Sequence, residues 1–261
     1  MTGVRPNTMR SLLLLLAAAG VLGGSVQLLP VLPCWLAILP MAVVAGVIGH
    51  GLFEFRKTRR RAWARQYLRE DGALARWVRP GLLMRLVSAG VGFLLAILLL
   101  VQLDRWASPQ WVLLAINVPV FLFLAVRARR WLEPEVLPQW LEPLSRVLAV
   151  RLNVVILTPF LVILDFIAEQ TYYRGEPYER VLETVATSPG WNCHLLDPVL
   201  RAMVYVTELS YWVMQNLVGS VETGGPWVLV AWILVFLASL GAAWAWSRLL
   251  MGLCYLSGPG C

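Results

Sequence analysis

Apolar residues fall in six long runs, at 11–29, 36–53, 82–103, 111–126, 147–167 and 227–250, separated by charged or proline-rich connections. About 20 apolar residues in a helix cross the hydrocarbon core of a bilayer. Unpaired backbone N–H and C=O groups are costly in lipid, so runs of this length are read as helices. Segments of alternating polarity are not evident, which argues against a β-barrel. The pattern predicts an all-α, polytopic membrane protein with about six transmembrane helices in a single integral membrane domain, residues 1–261.

A further segment, 199–221, is long enough to span, but Glu208 near its centre, with Gln215 and Asn216, makes insertion unfavourable. It is read as a surface helix, with a seventh span as the alternative. The first run follows Arg5 and Arg10 as a signal peptide would, yet its apolar stretch continues through VLGGSVQLL, so it is expected to stay as an anchor.

Composition agrees with the pattern. Charged residues make up only 14% of the 261-residue chain against 59% apolar, too few to cover a soluble surface. The charges are also unevenly placed: nine of the 22 basic residues lie between Arg56 and Arg79. With the N-terminus in the cytoplasm, 18 of the 22 fall inside or at the inner boundary. Lys and Arg concentrate in cytoplasmic loops, so this orientation is expected, and the net charge of +7 marks topology rather than nucleic acid. The preference for Arg over Lys suggests a bacterial chain, hence a multi-pass protein of the cell inner membrane.

Three segments outside the spans stand out. Residues 54–81 form a basic amphipathic segment. At 100° per residue Arg65, Arg69, Arg76 and Arg79 fall on one side, and Trp63, Tyr67, Leu74, Trp77 and Val78 on the other. Such a helix lies in the interface, its Arg toward anionic headgroups of membrane lipids or toward a protein partner. The aromatics are segregated from the Arg face, which disfavours nucleic acid. Residues 127–146 carry WLEP twice, and their prolines predict a kinked cytoplasmic connection in the interface. Residues 168–225 are read as an external, periplasmic acidic cap.

Polar residues inside spans are the strongest functional pointers, because lipid penalises them. Arg151, Thr158 and Asp165 recur every seven residues in the fifth span, and Arg201, Glu208 and Gln215 do so in the 199–221 helix. Facing each other they would line a hydrophilic path; sheltered by pairing they would be contacts between helices or subunits. Asn117 with Pro119, and Thr158 with Pro159, predict kinks. Cys34 and Cys193 both fall on the expected oxidising side and form the candidate disulfide, whereas Cys254 and Cys261 are expected to be reduced under six spans.

Catalytic chemistry has little support. The two histidines are His50, four residues before Glu54, and His194, beside Cys193 and near Asp197. One Cys-His pair without a second spaced pair falls short of a zinc pattern, so no metal and no cofactor are expected, and His194, Cys193 and Asp197 are only a thin ligand set. GxSxG, HExxH, Walker A and GxGxxG motifs are all absent. The expected function is that of a non-enzymatic integral subunit, scaffold or anchor of a larger membrane complex. A small-solute or ion channel or transporter using the polar stripes is the alternative, and a membrane-embedded enzyme the third reading.

Overall fold

The computed structural model describes residues 13, 15–24, 33–67, 81–106, 108–167, 173–187, 193, 197–218 and 226–257. Eight helices are named here: α1 (Leu15–Gly24), α2 (Cys34–Tyr67), α3 (Leu82–Arg105), α4 (Ser108–Leu132), α5 (Pro138–Ile167), α6 (Glu179–Thr187), α7 (Asp197–Val218) and α8 (Pro226–Ser257). No strand occurs among the described residues. Five helices, α2, α3, α4, α5 and α8, are long and apolar enough to cross a membrane. Of the first apolar run, only Leu13 and the shorter apolar helix α1 lie within the described residues. Large apolar side chains such as Leu83, Leu94, Phe123 and Val155 project outward, as expected where lipid replaces water as solvent.

α2 and α8 form the axis of the bundle. α2 packs on α3, α8 and α5, while α8 also touches α3, α5 and α7. Small residues permit the close approaches. A Cβ added at Gly92 would lie 2.7 Å from the Ala45 carbonyl oxygen and from the Gly49 nitrogen, and one added at Gly51 would lie 2.8 Å from Gly252 Cα. Lipid tails are as apolar as leucine, so helices in a membrane gain from backbone proximity and dense packing. Around these contacts Ile48, Leu99, Leu100, Phe121, Leu157 and Leu161 are buried.

Two connections differ from the sequence expectation. The basic segment does not begin a separate interfacial helix at residue 54. α2 runs unbroken through 34 residues to Tyr67, roughly 50 Å at the usual helical rise against a hydrocarbon core of about 30 Å. Its basic end therefore projects along the axis of the span. Helical hydrogen bonding continues wherever no residue stops it, and amphipathicity alone does not encode the angle to the bilayer. Arg69, Arg76, Arg79 and Trp77 lie outside the described residues, and Arg65 is described only as part of α2.

The 127–146 connection is also shorter than expected. α4 reaches Leu132, a turn follows, and α5 starts at Pro138 and passes through Pro143 and Pro159. Pro138 at the first helical position sacrifices no bond, because that N–H has no partner within a helix. Each internal proline removes one bond. Thr158, just before Pro159, donates its hydroxyl proton to the Val154 carbonyl oxygen at 2.7 Å.

Candidate functional site

Three polar constellations lie in or against the bundle. The first is a buried cluster joining α4, α5 and α8. Asn117 Nδ2 donates to Asn153 Oδ1 at 2.8 Å, and Asn153 Nδ2 donates back to Asn117 Oδ1 at 3.2 Å. Asn153 Nδ2 also donates to Ser247 Oγ at 2.8 Å, and Trp246 Nε1 donates to Asn117 Oδ1 at 3.0 Å. The Ser247 hydroxyl passes its proton to the Ala243 carbonyl oxygen at 2.7 Å. All four side chains are buried, so the cluster is turned inward as a tie between three helices.

Only Asn117 drew notice in the sequence, and then for a kink. Asn153 was the missed signal, an amide inside an apolar run. Asn153→Ala removes three of these bonds and takes the acceptor from the Asn117 amide, a loss of about 2 kcal/mol. Thermal or denaturant unfolding of the purified protein checks this, and a change below about 0.5 kcal/mol contradicts it.

The second constellation lies on α7, whose polar stripe clasps the segment before α6. Tyr173 is fully buried and donates its hydroxyl proton to Glu208 Oε2 at 2.8 Å. The Tyr173 N–H donates to Gln215 Oε1, and Asn216 Nδ2 donates to the Tyr173 carbonyl oxygen at 2.7 Å. Gly175 N–H donates to Asn216 Oδ1 at 2.8 Å, and Trp212 Nε1 to the Glu176 carbonyl oxygen at 2.9 Å. Tyr178 shares a hydroxyl hydrogen bond with Tyr205, and this bond raises the Tyr178 hydroxyl above the ordinary tyrosine range. Gly175, with φ +81°, makes the turn at this point.

The two polar stripes are thus engaged separately. Arg151 sits on the exposed face of α5, Thr158 bonds within its own helix, and Asp165 accepts from Ser239 of α8 at 3.2 Å. Arg201 pairs with Asp197 at 2.7 Å, while Glu208 and Gln215 hold Tyr173. Glu208→Leu removes the acceptor of the Tyr173 hydroxyl and is expected to expose residues 173–187 to limited proteolysis, whereas Glu208→Gln keeps an acceptor and the protection. Equal cleavage of the two variants would contradict this clasp.

Cys34, at the start of α2, is disulfide-bonded to Cys193, with Cα atoms 4.4 Å apart. Cys193 is therefore not a metal ligand, Asp197 is committed to Arg201, and His194 lies outside the described residues. No metal-holding group occurs among the described residues. His50 is exposed, and Glu54 pairs with Lys57 at 2.8 Å instead. Cys254, near the opposite end of the bundle, is also disulfide-bonded, where a reduced thiol was expected. Thiol state alone therefore does not distinguish the two ends.

The third constellation is a groove at the basic end. α2 and α8 form its floor and α3 and α5 its walls, with a volume of about 1470 Å³. Arg56, Arg59 and Arg60 reach it from α2, Arg151 from α5 and Arg248 from α8. Trp63 also lines it, and stacks obliquely on Tyr67 with ring centroids 5.4 Å apart. Trp140 Nε1 donates to Gln66 Oε1 at 2.8 Å, tying the start of α5 to the projecting end of α2.

Comparison with protein families, with characterised proteins and with solved structures finds no match to this chain.

Proposed function

We propose that the chain is a non-catalytic integral subunit or anchor of a larger membrane assembly, held in a bacterial inner membrane with its N-terminus in the cytoplasm. The observation that supports it is the fate of the intramembrane polar groups. Asn117, Asn153, Trp246 and Ser247 satisfy one another, Asp165 meets Ser239, and Glu208 and Gln215 clasp Tyr173. A conduction path needs polar groups turned toward a passage; here they are used as ties between segments. The basic end of α2 suits the cytoplasmic face, where excess Arg and Lys accumulate. Other membrane subunits and anionic lipid headgroups are the partners of this reading.

Reconstitution into liposomes tests it against transport. The wild-type chain is expected to leave proton and small-cation leak at the level of empty liposomes. Flux above that level, abolished by Glu208→Gln or Asp165→Asn, would replace the subunit reading with a transporter.

A further inference from the structure

The groove at the basic end is a built site that the subunit reading does not use. Of its five arginines, Arg56 donates to Ser88 Oγ at 3.2 Å and Arg248 stacks near Phe55, 5.5 Å from the ring centroid. No carboxylate lines the groove among the described residues, and none of the five forms an ion pair with a described residue. Arg56 and Arg151 lie close enough for their charges to repel that of Arg248. Arg248 Nε is buried without a hydrogen-bond partner. Native structures seldom leave a buried donor orphaned, and concentrated like charge calls for a counter-charge.

The rest of the lining is apolar. Val87, Leu144, Val147 and Val155 cover the walls, and Val155 is 70% exposed. Val147, Arg151 and Val155 succeed one another at four-residue steps on one face of α5, so the charge sits beside the greasy surface. The volume exceeds the roughly 300–1,000 Å³ that suits a small-molecule ligand. A free anion would leave the apolar walls unused, and an uncharged lipid would leave the arginines unmatched.

We infer that this groove binds an anionic phospholipid from the leaflet at the basic end, its phosphate among Arg56, Arg151 and Arg248 and its acyl chains along the valine-lined walls. The arginines act as donors to phosphate oxygens, for which the planar guanidinium fork is suited. Five positive charges favour a lipid with two phosphates over one with a single phosphate.

Native mass spectrometry of the full-length protein in detergent tests this, with cardiolipin, phosphatidylglycerol or phosphatidylcholine added. Cardiolipin is expected to bind most tightly and phosphatidylcholine at least about tenfold more weakly. Arg151→Gln with Arg248→Gln should lower cardiolipin affinity by at least about tenfold. Arg127→Gln, which removes a charge stacked on Trp131 outside the groove, should not. Val155→Trp fills the wall at an exposed position and keeps every arginine, so it should also displace the lipid. That variant carries the test by itself if the double Arg variant fails to fold. Equal binding of phosphatidylcholine, retention of cardiolipin by Val155→Trp, or complete competition by soluble glycerol phosphate would overturn the proposal.

Discussion

Replacing Gly252 by valine is expected to stop α2 and α8 from closing. A Cβ at this position collides with the Val47 carbonyl oxygen and lies 2.9 Å from Val47 Cγ1, so the collision is largely with backbone that cannot rotate away. Overpacking a well-filled interface costs about 1–3 kcal/mol where side chains can yield, and this site offers little room to yield. The loss should therefore reach or exceed the upper end of that range. Its consequences extend beyond one contact, because the same two helices carry Ser247 and floor the arginine groove. Gly90→Ala is the control: a Cβ there meets nothing within 4 Å, and alanine is a better helix former. Thermal scans of tryptophan fluorescence should show a sharp loss for Gly252→Val and none for Gly90→Ala. A Gly252→Val protein melting with the wild type would mean that the two backbones are not in contact.

The second large effect is expected at Cys34–Cys193. The bond spans 159 residues of sequence, and chain entropy alone assigns about 5 kcal/mol to a loop of that length in a freely unfolding chain. A membrane-embedded chain does not unfold freely, since its apolar helices stay in lipid, so about 2–3 kcal/mol is the better expectation for Cys34→Ser. The loss should be concentrated where α7 begins, close to Cys193, and should add to that of Glu208→Leu. Thiol alkylation of the denatured wild-type protein without reductant should leave both cysteines unmodified, and Cys34→Ser should make Cys193 reactive. Alkylation of Cys34 in the wild type would contradict the bond.

The apolar helices were legible because hydropathy over about twenty residues is a dense signal, and burial in lipid tolerates few substitutions. Glu208 also drew attention for a sound reason, a carboxylate in the middle of a hydrophobic helix. Its partner was not legible: Tyr173 lies 35 residues away, in a stretch of ordinary loop composition. The seven-residue spacing correctly placed Arg201, Glu208 and Gln215 along one face, and periodicity could not say whether that face met water, another helix or a loop. The arginine groove was hidden differently. Its charges come from three helices distant in sequence, and the density of Arg56 to Arg79 drew attention to α2 alone. Arg151 and Arg248 appear in sequence as isolated charges near span ends, where reaching toward water is cheap.

The account rests on the view that the intramembrane polar groups tie this chain together and that its role lies in what it holds or joins. The most direct measurement is the composition of the particle it forms in its native membrane. The chain would be tagged at its own expression level, extracted in mild detergent, and its particle mass determined together with the proteins in it. The subunit reading predicts a particle heavier than the 29.2 kDa chain with its detergent, containing other membrane proteins in fixed ratio. A chain that runs alone after the gentlest extraction, and carries solute across liposomes, would contradict it.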